Sequence, residues 1–135
     1  MNTRISLILL LTAAVGLGLG CTTTVLTPDE GPAATYRLGK LRSTLSAEIG
    51  NVYEAAGQAV EGLNLTVVQS AQDQLEAKII ARTAQDEKIT VSMTALTSNT
   101  TKMEINAGSL ARSRRIYEAI LENMNMQNSA ATEQM

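Results

Sequence analysis

The chain has no histidine and a single cysteine, Cys21, so few of its side chains could do chemistry. Without an imidazole there is no Ser-His or Cys-His nucleophile, no histidine general base, and none of the commonest zinc ligands. A carboxylate pair, or a Ser or Thr activated by Lys, is what remains. Asp86-Glu87 is the closest carboxylate pair. The pattern around it predicts a hairpin turn, where acidic side chains are solvated, and paired carboxylates need burial to separate their pKa values. The glycine-rich "GLGLG" from Gly16 to Gly20 falls in a segment expected to be cleaved, so no phosphate-cradling loop remains. The sequence predicts a protein that is not an enzyme, with no cofactor and no metal.

Four arginines form the other constellation. Arg112, Arg114 and Arg115 cluster at the start of the last predicted helix, and Arg82 ends a predicted strand. Cations at a helix N-terminus oppose the helix dipole, so helix stability does not account for them. A basic run most often means a solvated face. The sharper reading is contact with an anion: lipid phosphate, a cell-wall carboxylate, or an acidic patch on a partner. Nucleic acid is not expected. The net charge is −2 with a pI near 5.1, and Tyr36, Tyr53 and Tyr117 are the only aromatic residues available for base stacking.

Cys21 closes the stretch "LILLLTAAVGLGLGC". The apolar run from Ile5 to Val15 is broken by Ser6 and Thr12, and it falls short of the ~20 residues that span a bilayer. Arg4 and the amino terminus supply a positive start, Ile5 to Val15 the apolar region, and Gly20 a small residue before the cut, which is the layout of a signal peptide. A small residue followed by Cys is also the layout of a bacterial lipobox. In that motif the thiol receives fatty acyl (palmitate-type) chains and becomes the new N-terminus. Gly18 stands where most lipoboxes carry Leu, with Leu17 and Leu19 on either side. An unpaired thiol in an oxidising compartment is a liability, and no second cysteine exists to form a disulfide. Acylation at Cys21 is therefore the expectation. With ~0.8 kcal/mol for each buried methylene, two or three acyl chains anchor a protein to the membrane essentially permanently. Thr22 differs from the Asp that marks inner-membrane retention in enterobacterial lipoproteins. That resemblance implies an outer-membrane location facing the periplasm.

The elements around these residues are set by hydrophobic period. Residues 1–20 read as the signal peptide. Residues 21–34, with Pro28, Gly31 and Pro32, read as a flexible tether. The polar run from Asn125 predicts a disordered tail over 125–135, which leaves one domain over 35–124. "TYRLGKL" (Thr35 to Leu41) has strand character. Ile49, Val52, Tyr53, Ala56, Val60 and Leu63 recur at three- and four-residue steps, which predicts a helix with Ser46 as N-cap and Gly62 as its stop. Gly50 and Gly57 inside it suggest close approach to a sheet. Period two then governs four runs: Leu65 to Ser70, Leu75 to Arg82, Ile89 to Ala95, and Thr101 to Ala107. One apolar and one wet face on each predicts an antiparallel meander covered on one side. Ser113, Ile116, Tyr117, Ile120 and Met124 restore helical spacing. The expected fold is α+β: an antiparallel sheet of about five strands with two helices packed on one face. Ile49, Val52, Val60, Leu63, Ile79, Val91, Ile105, Ile116 and Ile120 should be buried.

These residues also carry a resemblance. Tyr36-x-x-Gly39-x-Leu41, Val52-Tyr53-x-x-Ala56, Ala81-Arg82-Thr83, and Gly108 followed by Ser113-x-x-Ile116 resemble, in that order, a family of small bacterial lipoproteins known as DUF3568. Family members often carry a Gly-Asp pair just before the last helix, where this chain has Ala111-Arg112. The resemblance implies envelope location and fold, and no activity. The architecture is similar to the helix-grip domains of BamC, an accessory lipoprotein of outer-membrane β-barrel assembly. Two functions are therefore expected to compete. One is a non-enzymatic, lipid-anchored lipoprotein that binds or scaffolds an envelope protein or cell-wall component. The other is a periplasmic small-ligand carrier with a cleft between sheet and helices.

Overall fold

The structure, a computed structural model, describes residues 23–28 and 31–134. In chain order the elements are β1 (Thr24–Leu26), β2 (Ala34–Arg37), β3 (Lys40–Leu45), α1 (Ile49–Gly62), β4 (Thr66–Gln72), β5 (Glu76–Arg82), β6 (Lys88–Thr97), β7 (Thr100–Asn106) and α2 (Leu110–Glu133). The strands form one antiparallel sheet in the order β1-β2-β3-β7-β6-β5-β4. The α+β class and the four-strand meander match expectation; among the described residues the strand count is seven, not about five.

Two local features add strands. The stretch Thr35 to Leu41 is not one strand but a hairpin, pairing Tyr36 with Leu41 and Arg37 with Lys40. Its two turn residues, Leu38 and Gly39, have φ of 53° and 77°. Two successive left-handed residues are what a tight two-residue hairpin requires, and Gly39 supplies one without strain. The other added strand comes from the expected tether. Thr24–Leu26 pairs with Ala34–Tyr36, so the Pro and Gly residues mark a loop between strands and not a free linker.

Strand alternation sends one set of side chains toward the helices. Ala77, Ile79 and Ala81 of β5, Ile89, Val91 and Met93 of β6, and Thr101, Met103 and Ile105 of β7 are buried there. Against them lie Ile49, Val52, Ala55, Ala56, Ala59 and Val60 of α1, and Ser113, Ile116, Tyr117, Ile120 and Leu121 of α2. Eight of the nine residues expected in the core are buried, and Leu63 is half-buried against it. Strand β4 departs from its expected alternation: all seven of its residues are exposed. It is the outermost strand, and a register shift between Val67 and Gln69 breaks the period that would have kept one face inward.

The start of α1 and the end of α2 differ from expectation, while α1 ends at Gly62 as expected. The N-cap of α1 is Glu48, not Ser46, and no side chain caps it. The Thr101 hydroxyl donates to the Ala47 carbonyl at 2.8 Å, which holds the bend after β3 and delays the helix start. At the other end Gly62 is the last helical residue and Asn64 makes the reversal. With φ of 56°, Asn64 lets its own N–H donate to the Glu61 carbonyl and that of Leu65 to the Val60 carbonyl, a paired Schellman closure. A Cβ on Gly57 would meet nothing within 4 Å, and one on Gly50 would meet only the Gln72 side chain at 3.5 Å, so neither marks close packing on the sheet. Helix α2 begins with the Ser109 hydroxyl accepting from the Arg112 N–H and runs to Glu133. The expected disordered tail is thus helical. Its residues include Met, Gln, Ala and Glu, which favour helix without needing a packing face.

Candidate functional site

Cys21 and the expected signal segment lie outside the described residues. The loop that leads into β2 is anchored firmly. The Tyr117 hydroxyl of α2 donates to the Pro32 carbonyl. Ser43 of β3 lies 3.2 Å from the Ala33 carbonyl and 2.9 Å from the Tyr117 hydroxyl, so two hydroxyl protons serve three oxygen–oxygen contacts. Burial raises the Tyr117 pKa above its ordinary value, keeping the phenol protonated as a donor. Gly31, with φ of +135°, sits where a Cβ would come within 2.6 Å of Leu121. The loop is therefore latched to both sheet and helix. Periodicity marks Tyr117 as a core residue, but it carries no sign of the partners of its hydroxyl.

The structure divides the four arginines. The β5–β6 turn brings Arg82 and Arg112 to one corner: Arg82 pairs with Asp86 at 3.3 Å, and Arg112 reaches Glu87 at 2.7 Å. Arg112 also donates to the Ala107 carbonyl at 3.0 Å, so it ties the first turn of α2 to the hairpin. The Asp86-Glu87 pair is accordingly a set of counterions in an exposed turn, with Asp86 in the left-handed region at φ 64°. Arg114 points along its own helix to Glu118 at 2.7 Å. Arg115 is exposed and forms no ion pair among the described residues.

The uncovered face of the sheet carries a charge pattern that no contiguous motif announces. Arg37 on β2, Lys40 and Arg42 on β3, Lys102 on β7, Lys88 on β6, and Lys78 and Arg82 on β5 alternate with the buried residues and so share that face. They are seven of the chain's eleven Lys and Arg residues. Glu76 and Glu104 are the acidic residues in these strands that share it. Glu104 receives Lys40 at 2.8 Å and Arg42 at 2.7 Å. The Lys40 hydrogen bond, aided by Arg42, holds its carboxyl below the ordinary glutamate range. The signal is present as strand alternation, but it becomes visible only once the strands are ordered in the sheet.

Two open grooves flank this framework. One of about 870 Å³ runs along the distal half of α2, past Pro28, Leu121, Met126 and Ala130. Another of about 480 Å³ lies over the β4–β6 end of the sheet, with Lys78, Ser92 and Thr94 on its walls. Among the described residues no three side chains are grouped to hold a metal ion, and no helix is long and apolar enough to cross a membrane.

A seven-stranded antiparallel sheet with two helices on one face defines a small α+β domain. The family model described as "Protein of unknown function (DUF3568)" matches residues 4–123, and the chain belongs to that family. No curated protein matches the chain.

Proposed function

We propose that this chain is a non-enzymatic, lipid-anchored lipoprotein of the bacterial envelope, held at the outer membrane and facing the periplasm, where it binds or scaffolds another envelope component. The observation that carries the reading is the placement of the lone cysteine: Cys21 ends a positively started apolar run and precedes β1 by three residues. Three extended residues reach at most ~11 Å. An acyl anchor at Cys21 would therefore hold the edge of the sheet against the lipid surface, where the latch of Tyr117 and Ser43 keeps it from swinging free.

Packing favours a scaffold over a small-ligand carrier. Val52, Val60, Ile89, Val91, Ile105, Ile116 and Ile120 are all fully buried and fill the layer where a carrier would need a cleft. A likeness to the helix-grip domains of BamC belongs to the same reading, since such domains also lay helices across an antiparallel sheet.

The direct test is Cys21→Ser in intact cells fed a fatty-acid analogue. The variant is expected to lose all label and to accumulate as uncleaved or mis-sorted precursor. Undiminished labelling of the variant would sink the reading.

A further inference from the structure

We propose that the uncovered face of the sheet is a docking surface for an anionic phospholipid surface, through the lysines and arginines that strand pairing gathers there. This rests on the proposed anchor only for how the surface is reached; the charge pattern stands without it.

Folding does not explain these charges. Arg37 lies directly opposite Lys40, and Arg82 directly opposite Lys88. Like charges placed opposite one another across strands destabilise a sheet. Asp86 offsets the second pair in part, and Glu104 is shared between Lys40 and Arg42. Arg37, Lys78, Lys88 and Lys102 have no carboxylate partner among the described residues.

The opposite side of the molecule has the opposite sign. Glu48, Glu54 and Glu61 at α1, and Glu118, Glu122 and Glu133 on α2, are all exposed on the helical layer. Its three arginines lie in the first two turns of α2, two of them bound to glutamates. A chain of net charge −2 would be repelled by a negative surface if its charges were mixed. Segregated, they orient it, basic face down and helices away. Threonines and serines lie between the basic residues: Thr94 opposite Lys102, and Ser92 opposite Lys78. Such an open, hydroxyl-bearing face suits headgroup phosphates spread over a plane better than one ligand held in a pocket. The anchor site adds proximity, because β1 lies at the sheet edge next to β2, which carries Arg37.

The test uses a fragment from Thr22 to Met135, which contains all the strands, helices and core of the described residues and lacks Cys21. It is sedimented with phosphatidylethanolamine vesicles that contain or lack phosphatidylglycerol. Binding is expected only with phosphatidylglycerol, and it should weaken as salt rises, since charges are screened within ~8 Å at physiological ionic strength. The triple variant Lys78→Gln, Lys88→Gln, Lys102→Gln should bind on the order of a hundredfold more weakly, about fivefold for each charge near the surface. The triple variant Arg112→Gln, Arg114→Gln, Arg115→Gln changes net charge equally and should lose no more than a few-fold. Melting curves confirm that both variants are folded. Equal losses in the two variants would reduce the effect to net charge and overturn the proposal. So would indifference to phosphatidylglycerol, or a preference for an anionic cell-wall glycan over vesicles. Because the fragment has no Cys21, these outcomes are independent of the acyl-labelling experiment.

Discussion

The two helices lie on the same face of the sheet, yet they are held by different means. Helix α1 spends its fourteen residues on packing: six are buried, and a backbone closure at Asn64 ends it. Helix α2 has twenty-four residues, but its buried ones stop at Leu121, and from Glu122 onward it is largely exposed. Its first half is a core element that also carries the Tyr117 latch; just beyond it Asn123 donates to the Ala55 carbonyl of α1 and Met124 packs against the core, and the turns after Met124 are mostly exposed. Apolar period therefore reports where a helix packs, and composition reports how far it continues.

The largest effect should come from the packed half of α2. Ile120 is fully buried among both helices and the sheet. Ile120→Ala is expected to cost ~2–4 kcal/mol in urea unfolding, from lost transfer energy and the cavity left behind. A loss below ~1 kcal/mol would mean that α2 contributes little to the core even before Leu121, and the contrast within it would collapse.

Next comes the latch. Tyr117→Phe keeps the ring and removes the hydroxyl, leaving the Pro32 carbonyl without its donor. The expected cost is ~1–2 kcal/mol, accompanied by faster amide exchange in β1 and β2. The alkaline limb offers a second readout. The Tyr117 pKa is raised in the folded state by burial. Its contribution is therefore fully present below the ordinary tyrosine value of 10.0 and is lost as pH rises through the higher folded value. The Phe variant should lack that component of alkaline destabilisation. Unchanged exchange in β1 would show that strand pairing, not the latch, holds the edge.

The same contrast explains which features are legible in the sequence. The meander, both helix cores and eight of nine core residues can be read from period, because burial on one face imposes period directly. The β2–β3 hairpin is hidden because Leu38 takes a left-handed conformation that its side chain does not advertise. Strand β1 is hidden because three residues are too few to show alternation. In the candidate site the arginines stand out in the sequence but their counterions do not, since Glu87 and Arg112 meet only after the meander folds back on α2. The basic sheet face is distributed over five strands and has no local signature.

Helix α1 is the better packed, but it retains one slack position. Gly57 sits in mid-helix with open space where a Cβ would go. Gly57→Ala should stabilise the protein by about 0.5–1 kcal/mol, because it reduces the freedom of the unfolded chain and improves helix propensity. Thermal melting reads this directly. Destabilisation instead would mean that α1 and its surroundings lie closer at this turn than the contacts show.

The smallest effect should come from removing the second half of α2 altogether. Ser129 and Thr132 donate their hydroxyls to the Asn125 and Asn128 carbonyls, bonds made within the helix itself. No residue after Leu121 is fully buried among those described. Ending the chain after Met124 should therefore change unfolding stability by no more than ~0.5 kcal/mol, the range of surface changes away from special contacts. Far-ultraviolet circular dichroism would lose helix signal while the melting midpoint stayed in place. In the intact chain, amides from Asn125 to Glu133 should exchange through local fraying, whereas those at Ile116 and Ile120 should need global opening. The region that could defeat this expectation is the groove of about 870 Å³ along Pro28, Leu121 and Met126. If truncation costs more than ~1 kcal/mol, the distal turns are contributing to that groove and α2 is one packed helix throughout. Cooperative exchange across the whole of α2 would argue for the same conclusion without any truncation, because turns after Met124 that pack on nothing cannot share the protection of the core.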